Sequence, residues 1–330
     1  MTILSGMRPT GKLHLGQYFG ALKNWVELQA KATCYFMVAD YHALTTPESA
    51  KNLREDTTDM VLDWLAAGLD PERCVIFRQS DMPEHTELAW IFETLTPMGE
   101  LERMVEYKEK SAQMAEHGER PNVGLLAYPV LQAADILIYK ADAVPVGQDQ
   151  AQHIELARTI ARKFNDAYKD MFPEPKELLT PEAKVMSLTD PTKKMSKSLG
   201  EQNAVNLADE PDTIARKIQG AVSDIGGPGS GGSHEASEGG RNLLELLRLT
   251  TGPNFYQQFA EDYEHGKLRY AEFKPKLAEA IAAYLEPIRT KRSQLEKDVN
   301  VSRMLSHGAT QAREVSAKTL HEVKEAIGLL

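Results

Sequence analysis

The sequence predicts an α/β fold, a doubly wound parallel sheet followed by an all-helical region, and three observations lead there. Short runs rich in β-formers alternate with longer stretches of helical periodicity, the pattern of β-α-β units. Each run ends in polar or glycine-rich residues, which a parallel sheet places together along its ligand-binding edge. Beyond about Pro211 the strand signals stop and helical periodicity continues.

The first strand is read at Thr2 to Ser5, and its tip is Gly6-Met7-Arg8-Pro9-Thr10-Gly11. His14-Leu15-Gly16-Gln17 then opens a helix whose apolar positions run through Phe19, Leu22 and Trp25. The second strand, Cys34 to Ala39, ends in Asp40-Tyr41-His42, and a helix follows from Lys51 to Ala67. The third, Cys74 to Arg78, ends in Gln79-Ser80, where an ordinary polar turn is a sufficient reading, and a helix spans Glu84 to Thr94. The fourth, Ala143 to Val146, ends in Gly147-Gln148-Asp149-Gln150. All four tips belong to one edge of the sheet.

A chain of 330 residues with 42% hydrophobic content buries a sizeable core in about two domains. The division is placed at 205/206, with the last helix allowed to pack back on the first domain. No run of roughly 20 uncharged residues is available to span a membrane, and no basic region precedes a long apolar run at the start. Cys34 and Cys74 lack a C-x-x-C partner, so neither a zinc cage nor a disulfide framework is indicated. Both are expected as small buried groups in a reducing cytoplasm.

A net charge of −10 argues against coating nucleic acid by global attraction, so RNA contact requires a local patch. From Lys267 onward there are 12 Lys and Arg against 8 Asp and Glu, which permits such a face and equally describes a solvated helix surface. The glycine-rich stretch from Ile225 to Gly240 contains His234-Glu235 where a phosphate cradle needs Lys followed by Ser or Thr. It is read as a surface connection, with a role in positioning RNA left open.

Three features point to chemistry. His14 and Gly16 stand at a helix start, where amide N–H groups favour phosphate and a glycine lets a nucleotide approach; a structural histidine fits the same spot. Tyr128, Gln132 and Asp135, at i, i+4 and i+7, share one helix face amid Leu131, Ile136, Leu137 and Ile138. They suit either an internal hydrogen-bond network or a pocket in which an ionised Asp135 accepts a ligand N–H, worth roughly 1.5 to 3 kcal/mol. Lys194-Met195-Ser196-Lys197-Ser198 is a specified pentapeptide that chance supplies on the order of once in ten thousand such chains.

With its HIGH-type tetrapeptide at His14 and its KMSKS loop at Lys194, the chain resembles class I aminoacyl-tRNA synthetases. Resemblance to the tryptophanyl members covers essentially its whole length. It runs through Ser5 to Gly11, Val38 to Thr45, Gly99 to Met104, Tyr128 to Asp135, Val146 to Gln150 with His153 to Leu156, and Asp190 to Lys193.

The resemblance implies a Rossmann-like catalytic domain at 1–205 and a helical anticodon-binding domain at 206–330. It implies ATP-dependent activation of L-tryptophan and transfer to tRNA(Trp). Lys194, Lys197, Lys110 and His14 would serve catalysis. ATP contacts would come from Arg8, Pro9, Thr10, Gly16, Gln17, Gly147, Gln148, Asp149, Val185, Lys194, Met195, Ser196, Lys197 and Ser198, with Asp149 towards the ribose. Gly6, His42, Tyr128, Gln132, Val144, Val146 and Gln150 would join Asp135 around tryptophan, whose indole N–H that carboxylate would accept.

Mg²⁺ is expected on the ATP phosphates, with no protein metal site, and the absence of the necessary cysteines implies no iron–sulfur cluster. A homodimer with an interface around Trp90 to Tyr107 is implied, although burial of Trp90, Ile91, Phe92 and Met98 in a single-chain core explains the same pattern.

Two positions depart from the commonest tryptophanyl pattern, Arg8 for glutamine and Gln17 for asparagine or histidine. A tyrosine-specific relative would show a similar Tyr-x-x-x-Gln-x-x-Asp helix, but usually with a tyrosine near the first strand where this chain has Leu4. A catalytically silent paralogue acting as a binding protein is the third reading.

Overall fold

The computed structural model describes residues 1–46, 50–116, 118–147, 150–179, 185–197, 200–223 and 237–330. Its sheet has five strands, β1 (Thr2–Met7), β2 (Thr33–Val38), β3 (Val75–Arg78), β4 (Ala143–Val146) and β5 (Lys176–Leu179). They lie in the order β3-β2-β1-β4-β5, and every pairing is parallel. The first four strands occupy the expected places. The fifth is an addition to the sequence reading, an edge strand in register with β4 from Ala143↔Lys176 to Val146↔Leu179.

Side chains alternate across the pleat, and both faces are buried, as a doubly wound sheet requires. Ile3, Phe36, Val38 and Ile76 enter one core, while Leu4, Tyr35, Met37 and Phe77 enter the other. On the first face Trp25, from the helical segment at 15–28, stacks on Phe36 with ring centroids 4.8 Å apart and meets Trp64 edge-on at 5.3 Å. On the second, the helix Val123–Leu137 supplies Val130, Ala133, Ala134 and Ile136. The connection direction reverses at β1, which has β2 on one side and β4 on the other, so a crevice opens beyond its carboxyl end.

The expected helices are found at Leu53–Ala67, closed by Gly68 with φ +118°, and at Pro83–Glu93. Beyond residue 206 the described chain contains helices and no strand, principally Pro211–Gln219, Glu238–Thr250, Pro253–Glu264, Tyr270–Asp298 and Val301–Ala326. Residues 225–236 of the glycine-rich stretch lie outside the described residues. Its last two glycines are not loop: Gly239 and Gly240 sit in the first turn of Glu238–Thr250, where the Ser237 hydroxyl accepts the Gly240 N–H. Among the described residues no helix is long and apolar enough to cross a membrane.

The helical region is fused to the sheet by packing and by charge. Leu243, Phe273, Leu277, Ile281 and Leu285 continue the core that begins at Ile3 and Phe36. The helix Val301–Ala326 lies along β3 so closely that a Cβ on Gly308 would stand 1.9 Å from the Ile76 carbonyl oxygen. Arg292 Nε donates to Asp63 Oδ1 at 2.6 Å, and a second guanidinium nitrogen reaches Asp59 at 2.6 Å. The other Asp63 oxygen accepts the Leu13 N–H at 2.6 Å, one residue before His14. Burial pushes the Asp63 carboxyl up to about 6 even with Arg292 against it.

Removing the guanidinium therefore leaves a carboxylate in the interior without its cation, a loss of about 3–5 kcal/mol. Arg292→Met is expected to lower the urea unfolding free energy by that amount, while Asp63→Leu with Arg292→Met recovers part of it; equal stability of wild type and single variant contradicts this role.

Candidate active site

The crevice at the carboxyl edge is a cleft of about 400 Å³. Its wall is built by the tips of β1, β2 and β4 and by the helix Val123–Leu137. Of the expected ligand contacts, Gly6, Arg8, Thr10, Gln17, His42, Lys110, Tyr128, Gln132, Asp135, Val144, Val146, Gly147 and Gln150 line it. Leu4 lines it too, buried where the tyrosine-specific pattern places a phenol ligand. Gln148, Asp149 and Ser198 lie outside the described residues, and with them the ribose contact expected of Asp149.

Asp135 forms the floor, with 1% of its surface exposed. Oδ1 receives His85 Nδ1 at 2.7 Å, Oδ2 receives His42 Nε2 at 2.7 Å, and the Gln79 amide spans both oxygens at 2.9 Å. Burial opposes the charge, but these donors outweigh it and hold the carboxyl at about 2. The carboxylate is thus ionised at neutral pH inside an apolar surround of Leu4, Met37, Ile136 and Val144. Of the two sequence alternatives for the Tyr128-Gln132-Asp135 face, the internal hydrogen-bond network is present at Asp135, and the same carboxylate lines the cleft.

Gln79 and His85, which hold the Asp135 carboxylate, are not among the site residues expected from the sequence. The tip at Gln79-Ser80 is more than a polar turn: Gln79 is fully buried on Asp135, and the Ser80 hydroxyl donates to Asp40 at 2.5 Å. His85 is fully buried, with Nε2 2.8 Å from the Tyr139 hydroxyl. The one sequence signal for Gln79 is position, directly after a strand at the binding edge, while His85 stands in the first turn of the next helix.

At the other end of the cleft the N-terminal turn meets the 185–197 segment. Residues 185–195 form a small antiparallel hairpin, with the Met195 N–H donating to Val185 O at 3.0 Å and Met186 bridged to Lys194. Val185 and Met195 are buried, and Met195 seats on Gly16, where a Cβ would be 3.3 Å from the Met195 Cβ and 3.0 Å from His14 Nδ1. Glycine is the residue that leaves room for both. Gly11, at φ +73°, turns the chain where any Cβ would meet Asp56 at 2.8 Å.

Lys197 Nζ donates to the Thr10 carbonyl at 2.7 Å, so the second lysine of the KMSKS loop reaches the turn after β1. Burial lowers its pKa, against the pull of Asp63 and Asp56. Lys194 is exposed, Ser196 partly buried, and Pro9 buried beneath the turn.

His14 stands outside the cleft lining, 8% exposed, and works as a helix cap. Its Nδ1 accepts the Gln17 N–H at 3.3 Å while Gln17 Oε1 accepts the His14 N–H at 3.2 Å. Burial, helped by Lys197, brings its pKa down to about 4, so at neutral pH it offers an Nε2–H donor and no positive charge. Gln17 also donates to the Thr10 hydroxyl at 3.2 Å. Lys110 is 2.5 Å from Glu106 and lies over the Tyr128 ring at 5.6 Å.

Among the described residues no group of three or more His, Cys, Asp or Glu could hold a metal ion. The site offers an anionic floor in an apolar slot, and a mouth of amides and cations suited to phosphates.

Comparison with known proteins places this geometry. The family model described as tRNA synthetases class I (W and Y) matches residues 1–286. The tryptophan–tRNA ligase of Clostridium tetani is 41% identical over 100% of this chain and 96% of its own length. That of Gloeobacter violaceus is 43% identical over 99% and 96%. A Campylobacter jejuni tryptophanyl-tRNA synthetase, solved with ADP and tryptophan, superposes with a TM-score of 0.85 at 35% identity, covering 99% of this chain and 100% of that one. An Aeropyrum pernix tyrosyl-tRNA synthetase, at 23% identity and a TM-score of 0.69, shares the fold.

The network under Asp135 predicts a cost of about 1–3 kcal/mol for His85→Leu, which strips a donor from the carboxylate and leaves the Tyr139 hydroxyl without its ring partner. Urea denaturation at pH 7 measures it, and an unchanged midpoint would show that His85 does not hold the floor.

Proposed function

The chain belongs to the class I tRNA synthetases of the tryptophan and tyrosine group, and from that premise we propose that it is a tryptophan–tRNA ligase. It activates L-tryptophan with ATP, releasing diphosphate, and passes the aminoacyl group to the 3′ end of tRNA(Trp). The observation that carries the reading is the ionised Asp135 at the floor of an apolar slot. An indole fits that slot as a flat apolar ring with one N–H that seeks an anionic acceptor. It enters on the Oδ2 side, where the carboxylate's partner lining the cleft is His42. Leu4 gives the ring an apolar contact and offers no partner to a phenol oxygen.

The substrate carboxylate is already an anion at neutral pH, so its attack on the α-phosphorus of ATP needs no general base. The protein's task is in-line placement and cations where charge grows on the departing diphosphate. In this reading Gly6, Tyr128, Gln132, Val144, Val146 and Gln150 enclose the amino acid with Asp135 and His42. Arg8, Thr10, Gln17 and Gly147 face the nucleotide from the cleft, and Gly16 lets it approach the helix start. Val185, Met195 and buried Pro9 shape the surfaces on which Lys194, Ser196 and Lys197 are carried.

Lys194, Lys197 and Lys110 supply positive charge, and His14 supplies a neutral N–H. Mg²⁺ accompanies ATP on its phosphates and adds charge compensation there. No donor set among the described residues assigns it a protein cage.

In the second step a ribose hydroxyl of tRNA attacks the adenylate carbonyl while the helical region after 206 engages the anticodon. We read the protein as a cytoplasmic homodimer. Ile91 and Phe92 are core, but Trp90 is 67% and Met98 64% exposed, and Leu44, Val105 and Val123 are exposed as well. Unpaired buried Cys34 and Cys74 suit a reducing compartment.

Pyrophosphate exchange tests the activity: exchange with tryptophan and not tyrosine is expected, and tyrosine-driven or absent exchange would refute it. Asp135→Ala should raise the half-saturating tryptophan concentration at least about tenfold, the factor for a loss of about 1.4 kcal/mol. Lys194→Ala and Lys197→Ala should slow adenylate formation with modest change in substrate binding, a pattern that wild-type exchange in both variants would contradict.

A further inference from the structure

Two of the donors that keep Asp135 charged, Gln79 and His85, are carried by one short stretch of chain, the connection that leaves β3 and the first turn of the helix Pro83–Glu93. The Gln79 carbonyl accepts the Met82 N–H at 2.9 Å and the Met82 carbonyl accepts the His85 N–H at 3.1 Å, so the two donors move together. The helix start has no side-chain cap of its own, since Met82 stands at the cap position and the chain enters through Pro83.

The turn is gripped instead from the far end of the chain. Arg313 lies in the helix Val301–Ala326, 229 positions from Glu84. Gly308, earlier in the same helix, lets it lie against β3 and so brings Arg313 over the turn. The guanidinium donates through Nη2 to the Asp81 carbonyl and through Nε to Glu84 Oε1 at 3.1 Å. The first contact falls between Gln79 and His85 in the chain, and the second is on the neighbour of His85. Glu84 is 12% exposed and its Oε2 is buried without a hydrogen-bond partner among the described residues, so its charge is met by Arg313. Arg313 itself is 43% exposed and does not line the cleft, which makes it neither core nor ligand contact. A further tie between the same two helices, Lys324 with Glu87 at 2.8 Å, joins them without touching the turn.

We propose that Arg313 is a positioning residue for the amino-acid floor. By holding the Asp81 carbonyl and Glu84 it sets where Gln79 and His85 stand against Asp135, and thereby how well that carboxylate accepts the tryptophan N–H. Displacements of about 1 Å in such a supporting shell are enough to weaken a site manyfold. The inference rests on the cleft being a tryptophan site, and it places control of amino-acid affinity in a helix of the C-terminal region.

Pyrophosphate exchange with the full chain, run across tryptophan and across ATP, reads the effect. Arg313→Met is expected to raise the KM for tryptophan about fivefold while the KM for ATP and kcat stay within about twofold of wild type. Arg313→Lys keeps a cation for Glu84 but loses the planar fork, and should fall between the two. Glu84→Gln should move the tryptophan KM in the same direction by about two- to threefold, and Lys324→Met should leave all three constants unchanged. In a double-mutant cycle Arg313→Met should add less than about twofold to Asp135→Ala, because the floor through which it acts is gone.

An unchanged tryptophan KM in Arg313→Met, an equal rise in the ATP KM, the same effect from Lys324→Met, or the full effect retained beside Asp135→Ala would overturn the proposal. If Arg313→Met does not fold, Glu84→Gln decides in its place, and an unchanged tryptophan KM there overturns it. A wild-type chain without tryptophan-dependent exchange instead refutes the tryptophan site itself, and the proposal with it.

Discussion

One buried, ionised carboxylate on the floor of the cleft is the constraint around which the site is arranged. A carboxylate buried without donors would take up a proton rather than bear the desolvation. Asp135 stays charged because β2, β3 and the helix after β3 each send a donor to it, His42, Gln79 and His85. The parallel sheet makes this possible, since it delivers the ends of strands distant in sequence to one edge. Polar groups at those tips, which could pass for turn chemistry, are tied into one network with a single exposed side, and that side faces the cleft.

The opposite end of the cleft is organised by side chains of the 185–197 segment set against the backbone of the N-terminal turn. Gly16 accepts the packing of Met195, and Lys197 reaches the Thr10 carbonyl, so the hairpin and the turn after β1 are held against each other. Asp63 ties the same turn to the helical region by accepting the Leu13 N–H and pairing with Arg292. A displacement of the helix Tyr270–Asp298 would therefore be felt one residue from His14, through a buried ion pair rather than a flexible linker.

Much of this was legible in the sequence, and the omissions have physical causes. The first four strands carry β-branched or aromatic runs because both sheet faces are buried, and burial is what periodicity records. β5, Lys176-Glu177-Leu178-Leu179, is an edge strand with two charged residues, and an edge can hold charges without a hydrophobic pattern. The Tyr128-Gln132-Asp135 face was readable because a helix brings i, i+4 and i+7 together.

His85 and Gln79 were not, because they meet Asp135 across 50 and 56 positions and local spacing carries no trace of that meeting. The KMSKS loop stood out through resemblance, whereas its docking through Gly16 and Met195 required the fold. The sequence suits His14 equally to a phosphate-side imidazole and to a structural residue; its geometry is that of a neutral cap whose remaining N–H is free of the Gln17 contact.

The central claim is that the Asp135 carboxylate accepts the ring N–H of tryptophan, and NMR of tryptophan labelled with ¹⁵N at the indole reads that bond directly. In the complex the account predicts an indole proton shifted downfield of free tryptophan, protected from solvent exchange, and returned towards the free position in Asp135→Asn. A bound indole N–H that keeps the free shift and exchanges with water would contradict it.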